Sequence, residues 1–250
     1  QVIGNRIHDL FVGGTSSSTA YGIYVAGDAL LGTENKLINN LVYNFHGTGI
    51  HYGIYNTGGN HMWAWHNTIS FDNAAAASGT TYGIYQTTVA DSIQYYNNNI
   101  SITRSGTGTR FGIFFNTAGT HIKSNYNNIY VNTPGSDSIG SYAGTEFTTL
   151  LDWQTANGGV YDLNSLNIDP AFINPTLGNY QPLSAALSNV AAPLGVVDDI
   201  NGTSRSLTTP DIGAYEFDLA TEDIGVISLI TPIASTSSCY STTESVTLRI

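Results

Sequence analysis

The feature that most constrains this chain is a period of about thirty residues. An aromatic-Gly-Ile-aromatic unit recurs at Tyr21-Gly22-Ile23-Tyr24, Tyr52-Gly53-Ile54-Tyr55, Tyr82-Gly83-Ile84-Tyr85 and Phe111-Gly112-Ile113-Phe114, with Ile spacings of 31, 30 and 29. A second unit places Asn two residues before an aliphatic, at Asn5, Asn39, Asn67, Asn98 and Asn127, spaced 34, 28, 31 and 29. The two units interleave about half a period apart. A fixed period of this kind is the mark of a solenoid or a propeller and settles much else.

Around each unit apolar and polar residues alternate, as in Thr68-Ile69-Ser70-Phe71 and Ser101-Ile102-Thr103, which is strand periodicity. No stretch before residue 145 sustains a helical period. Each period is then several short strands joined by Asn, Gly and Ser turns. Such a unit cannot bury its apolar face alone, and stacking it on its neighbours pairs each strand with its counterpart roughly 4.8 Å away. Asn suits the turn because it tolerates left-handed backbone and its amide can bond to the Asn above and below. A four-stranded propeller blade needs roughly 40 to 45 residues, and its hairpins need tight Asn-Gly turns that are scarce here. The expected fold is all-β, a right-handed parallel β-helix solenoid with coils of about 30 residues.

Composition narrows the partners. The 250 residues carry 18 acids against 7 bases, a net charge of -11, which repels nucleic acid and anionic membrane surfaces. A polyanionic substrate such as pectin meets the same repulsion unless Ca²⁺ or a local basic patch intervenes. Cys239 is the only cysteine, so neither an intrachain disulfide nor a multi-cysteine zinc site is available. No signal segment and no apolar run long enough to span a bilayer is present, so membrane insertion is not expected. The chain opens inside a repeat and stops inside a strand-like run, and is expected to be a fragment of something longer.

The Asn-x-Ile and Tyr-Gly-Ile-Tyr coils resemble the right-handed parallel β-helix proteins of the pectate-lyase-like superfamily. Phe147-Thr-Thr-Leu-Leu-Asp-Trp-Gln-Thr-Ala156, Asp162-Leu-Asn-Ser165, Asp169-Pro-Ala-Phe172, Asp198-Asp-Ile-Asn-Gly202 with Arg205, and Pro210-Asp-Ile-Gly-Ala-Tyr-Glu-Phe217 resemble the ending of secreted β-helix proteins of the Bacteroidetes type. The resemblance covers about residues 1 to 218 and implies a bacterial protein, secreted or held at the cell surface, whose Asp198-Asp199 pair is turn structure with Arg205 as partner. Residues 1-144 are read as the β-helix coils and 145-218 as terminal coils and cap. Residues 219-250 are read as a linker and partial β-sandwich segment. That segment resembles the opening of an immunoglobulin-like adhesion module, which normally needs about 100 residues. It is expected to be poorly ordered or to pack opportunistically on the helix.

Function in a solenoid lies on its outer faces, where one residue type per coil makes a stripe. If Ile23, Ile54, Ile84 and Ile113 point inward, alternation sends Tyr24, Tyr55, Tyr85 and Phe114 outward beside Gly22, Gly53, Gly83 and Gly112. An aromatic ladder beside a bare groove suits sugar rings, although aromatic ladders also serve packing alone. A second outward group is His61, Trp63, Trp65 and His66, with His121 and Lys123 matching His61 and Trp63 two coils later. It fits a glycan, or a capped and partly buried Trp pair. His61 and His121 are expected roughly 10 Å apart, too far to share an ion, and no metal site is expected.

A β-helix lyase needs acids holding Ca²⁺ and a Lys or Arg that abstracts the α-proton. Arg104 and Arg110 flank a Ser/Gly-rich loop, with Asp72 one coil away and able to approach Arg104; these three are the catalytic candidates. No paired-Asp motif for glycoside hydrolysis appears on the coils, and no phosphate loop or nucleophile motif is visible. The sequence therefore favours a non-catalytic extracellular or cell-surface module, glycan-binding or adhesive, acting as a monomer without a required cofactor. Its partner would be a polysaccharide or cell-surface glycan. A polysaccharide lyase or glycoside hydrolase, with Ca²⁺ where the chemistry needs it, is the alternative, and a rigid spacer the third.

Overall fold

The computed structural model describes residues 1–13, 15–73, 78–133, 137–219, 228–231 and 247–249. The chain is an all-β solenoid of about four turns with coils of about 29 residues. Three sheets run along it. The first contains Val2–Ile3, Asn35–Ile38, Met62–Trp65, Ile93–Tyr96 and Ile122–Asn125. The second contains Arg6–His8, Leu41–Tyr43, Thr68–Phe71, Asn99–Ile102 and Asn128–Val131. Ala20–Val25, His51–Asn56, Thr81–Gln86, Arg110–Phe115 and Asp137–Tyr142 form the third, which Thr145–Phe147 closes as an antiparallel edge. All pairings between coils are parallel, so each strand sits on its counterpart one period away.

The apolar half of each strand fills the interior. Ile54, Ile84 and Ile113 of the third sheet meet Ile69, Ile100 and Ile129 of the second, all with no solvent exposure. Each such side chain contributes about 1.5–3 kcal/mol when removed from water. A like residue above and below each one makes the core a set of stacked columns.

The corner between the first and second sheets is the asparagine ladder, and its register corrects the sequence reading at one coil. The ladder runs Asn5, Asn40, Asn67, Asn98, Asn127, using Asn40 rather than Asn39. Each side-chain amide donates to the next Oδ1 (Asn40 to Asn67 2.9 Å, Asn67 to Asn98 2.9 Å, Asn98 to Asn127 3.0 Å). The same amide also reaches a carbonyl of the preceding coil, as Asn98 does to Ala64 O at 2.9 Å. Backbone N–H groups of Asn40, Asn67 and Asn98 donate to the same Oδ1 atoms. The left-handed conformation belongs to the preceding residue: Asn39, His66, Asn97 and Tyr126 have φ of 55°, 54°, 58° and 56°. Thus the turn and the ladder, which the sequence reading gave to one Asn, are the work of two neighbouring residues.

The ladder ends on buried Asp162. Its carboxylate accepts from Asn127 Nδ2, Ser165 Oγ, Ser124 Oγ and Trp153 Nε1, all between 2.6 and 2.8 Å. Trp153 lies flat on Gly140, where a Cβ would fall 2.3 Å from the ring, and with Tyr161 closes the core. Residues 145–217 therefore supply a plug, and after it a return segment without further coils among the described residues. That segment lies over the outside of the second sheet. Gly213 donates to Asn97 O, Ala214 to Thr68 Oγ1 and Ile168 to Asn128 Oδ1. Thr68–Phe71 and Asn99–Ile102 are consequently buried on both faces. Arg205 pins the segment, donating to Gly213 O, Asn39 Oδ1 and Glu216 Oε2.

Gln1–Phe217 form one compact unit and Asp218–Ile250 another. In the second, Ser228–Thr231 and Thr247–Arg249 pair antiparallel with a register shift between Leu229 and Thr231. The rest of the immunoglobulin-like reading, including Cys239, lies outside the described residues. No helix among the described residues is long and apolar enough to cross a membrane.

Candidate functional site

The third sheet carries two aromatic columns where alternation foresaw one. Tyr24, Tyr55, Tyr85 and Phe114 stack with centroids 4.9–5.2 Å apart and planes within 16° of parallel. Beside them Tyr21, Tyr52, Tyr82 and Phe111 stack at 4.9–5.3 Å within 9°. Within a coil the two rings meet edge to face at 4.7–5.2 Å.

The glycines explain the second column and overturn the bare outer groove. Strand alternation slips by one at each glycine, so the residues on both sides of the Gly-Ile pair face outward. A Cβ on Gly22, Gly53, Gly83 or Gly112 would lie 2.2–2.6 Å from a methyl of Val42, Ile69, Ile100 or Ile129. These glycines face the core, where they let the second and third sheets approach.

Both columns climb one axis at about 5 Å per ring, yet their planes are nearly perpendicular. The tilt must be shared; near 45° each, it leaves plane separations of about 3.5 Å, which is van der Waals contact. Stacking covers part of every face, and ring edges and hydroxyls remain outward. Exposure falls from 53% at Tyr24 to 4% at Phe111, while Phe114 stays partly exposed like Tyr55 and Tyr85. Among the described residues the hydroxyls of Tyr24, Tyr55 and Tyr85 make no hydrogen bond to protein. Burial raises the Tyr52, Tyr55, Tyr82 and Tyr85 hydroxyls above the ordinary tyrosine pKa, so all four are neutral O–H groups. The columns stop at Ser138 and Ser141, in register with Phe111 and Phe114.

On the first sheet the register expected for Trp63 and Lys123 is found. Lys36, Trp63, Gln94 and Lys123 form one outward column. Trp63 stacks on Trp65 at 4.4 Å, and Lys36 Nζ sits 4.9 Å from the Trp63 centroid. Trp65 and His66 are buried, as a packed Trp pair would have it. His61 is a left-handed turn residue (φ 52°) at the sheet edge, and His121 Nδ1 lies 2.8 Å from Asp91 Oδ1 between them in coil order. No cluster of three His, Cys, Asp or Glu able to hold a metal is present among the described residues.

Of the catalytic candidates, Arg104 and Arg110 meet each other, and neither forms an ion pair with Asp72 among the described residues. Arg104 and Arg110 are fully buried. Arg104 donates to His51 Nδ1 (2.5 Å), Thr81 Oγ1 and Gly47 O, tying loops two coils apart. Arg110 donates to Arg104 O and Ser105 O. Burial lowers the Arg104 pKa to about 10, with Arg110 adding to it, and lowers that of His51 to about 3. Asp72 instead accepts from Tyr180 of the return segment at 3.0 Å.

A cluster around Asp9 was not read from the sequence. Asp9 meets His8 Nδ1 at 2.7 Å and accepts from Asn44 Nδ2 at 2.6 Å, while His46 Nε2 lies 3.6 Å away. The His8 hydrogen bond holds the Asp9 carboxyl below its usual range, whereas desolvation raises Asp72. Tyr43, stacked on His8 and packed on Tyr180, stands between the two acids. The acids fall two coils apart, and no local spacing signals that the Tyr43–Tyr180 pair lies between them.

Comparison with family profiles, with curated proteins and with solved structures finds no match to this chain.

Proposed function

We propose that this chain is a non-catalytic glycan-binding module of a secreted or cell-surface protein, built on a β-helix of the pectate-lyase-like kind. The observation that carries the reading is the amphipathic face of the third sheet. Its two columns set eight rings side by side, six of them tyrosines whose ring edges reach solvent. Unpartnered hydroxyls on a rigid aromatic surface offer a glycan both apolar contact and hydrogen bonds at little entropic cost. The partner is a polysaccharide or cell-surface glycan running along the solenoid axis, and the chain acts as a monomer. Retention in polysaccharide affinity gels tests this: Tyr55→Ser with Tyr85→Ser is expected to lose retention while remaining folded. Retention unchanged in that folded variant contradicts the reading and leaves a spacer.

A second reading is favoured by one observation. Asp9 and Asp72 flank Tyr43 and Tyr180 with carboxyl pKa values pushed in opposite directions, the pattern that separates a general acid from its partner carboxylate. Their backbones are roughly 10 Å apart by strand spacing, and glycoside hydrolysis uses carboxyls about 5 to 9.5 Å apart. Release of reducing ends that Asp72→Asn abolishes would establish hydrolysis. Elimination chemistry through Arg104 or Arg110 has no support from their buried positions.

A further inference from the structure

Burial withdraws half of the basic side chains of the compact unit from solvent. Its bases are Arg6, Lys36, Arg104, Arg110, Lys123 and Arg205. Arg104, Arg110 and Arg205 are buried, and Arg6 is exposed with its guanidinium donating to the neutral acceptors Tyr215 Oη and Asn201 Oδ1. The two lysines share the outward column Lys36, Trp63, Gln94, Lys123, which contains no acid. Neither forms an ion pair within 4 Å among the described residues. Glu34 and Asp91 stand at the sheet edge, the first accepting from Gly32 N and the second bound to His121. Beside Lys123 a groove of about 380 Å³ is lined by Ser92, Gln94, Thr120, His121, Lys123 and Asn157.

We infer that this column binds a glycan strand carrying sulfate esters, laid along the solenoid axis with one sulfate in the groove at Lys123 and another near Lys36. The inference rests on the glycan-binding reading but concerns a different sheet. Charge complementarity is the first argument: in a chain of net charge -11, an acid-free column with two unpaired lysines is the local basic patch an anionic glycan requires. The lysines are three strand steps apart, roughly 14 Å, a span that several sugar rings bridge and a single small anion does not. The donor set is the second argument. A carboxylate favours the two-pronged guanidinium fork, and this face has no arginine. A sulfate ester has three terminal oxygens that accept from separately placed donors, here the Lys123 ammonium, the Gln94 and Asn157 amides and the Ser92 hydroxyl. Trp63, held between Lys36 and Trp65, gives the column an apolar centre.

The test compares one polymer in three forms: dextran, dextran sulfate and carboxymethyl dextran, with polyglutamate as a polyanion of another class. The full chain is expected to be retained by dextran sulfate at least about fivefold more strongly than by the other three at low salt, with the excess lost as salt rises. Lys36→Gln with Lys123→Gln is expected to remove that excess with an unchanged unfolding midpoint. Should the variant fail to fold, the ranking of the four polymers by the unaltered chain decides. Equal retention on carboxymethyl dextran or polyglutamate, or a sulfate excess surviving in the folded variant, overturns the inference. Failure of the glycan-binding reading shows separately, as retention of neutral glycans that is absent or indifferent to Tyr55 and Tyr85.

Discussion

Tyr55 and Tyr85 stack across two coils with centroids 5.2 Å apart and planes within 2°. Tyr55 also touches Tyr24, Tyr21 and Tyr52, so its ring is shared among three coils. Tyr55→Ala should cost about 2–3 kcal/mol, since each aromatic pair contributes about 0.5–1.5 kcal/mol beyond area burial. Tyr55→Phe keeps the stack and should cost under about 0.5 kcal/mol. Urea denaturation of the two variants checks the split.

Asn98 has the sharper consequence. Its removal leaves the Asn67 amide and backbone N–H without their shared acceptor and Ala64 O without its donor, all in a fully buried corner. At about 1–3 kcal/mol per stranded group, Asn98→Ala should cost about 3 kcal/mol or more. Asn98→Asp should do no better, because it keeps the acceptor and loses both donated bonds. The unfolding midpoint of either variant staying within a degree of the parent would contradict the ladder's role.

Gly83 is held to glycine by space rather than by backbone angle. A Cβ there would lie 2.5 Å from both Gly112 O and Ile100 Cγ2. Gly83→Ala should therefore destabilise by about 1–3 kcal/mol through forced separation of the second and third sheets. Ile100→Val trims only the Cδ1 methyl and keeps both the Cγ2 and the carbonyl contacts, so a double variant with it should recover only a small fraction of the loss. Denaturation of the two variants measures that fraction.

Stability should fall as pH drops below about 6.5, where unfolded histidine takes up its proton. Desolvation, with the Arg104 charge beside it, lowers the folded pKa of His51 to about 3, and His66 is held well below its usual value by burial. Both stay neutral in the fold while the unfolded chain binds protons, so stability rises with pH through this window. The slope is about 1.4 kcal/mol per pH unit for each such histidine. Asp72 and Asp211, raised by burial, act oppositely, lowering stability as pH rises from the unfolded carboxyl pKa of about 3.9. Denaturation midpoints between pH 5 and 7 should show the slope and His51→Gln should reduce it; a flat profile would contradict the burial of both rings.

The coils were legible because every strand repeats its neighbour, so the period survived changes at single positions. Asn39 and Asn40 show where that ran out: adjacent identical residues hide which one turns the backbone and which one bonds. The second aromatic column was hidden by strict alternation, and only the recurrence of glycine between the aromatics hinted that alternation slips. Arg104 and Arg110 read as available charges because burial leaves no trace in the local sequence. The return segment over the second sheet, and with it the meeting of Asp72 with Tyr180, depends on pairings more than 100 residues apart in an irregular stretch.

The most direct measurement is affinity electrophoresis of the full chain in gels containing a panel of neutral and acidic polysaccharides, beside the Tyr55→Ser with Tyr85→Ser variant, with circular dichroism to confirm that both are folded. The account predicts that at least one glycan retards the parent and that the folded variant migrates freely in it. Equal retardation of parent and variant, or free migration of the parent in every gel, would contradict the glycan-binding face.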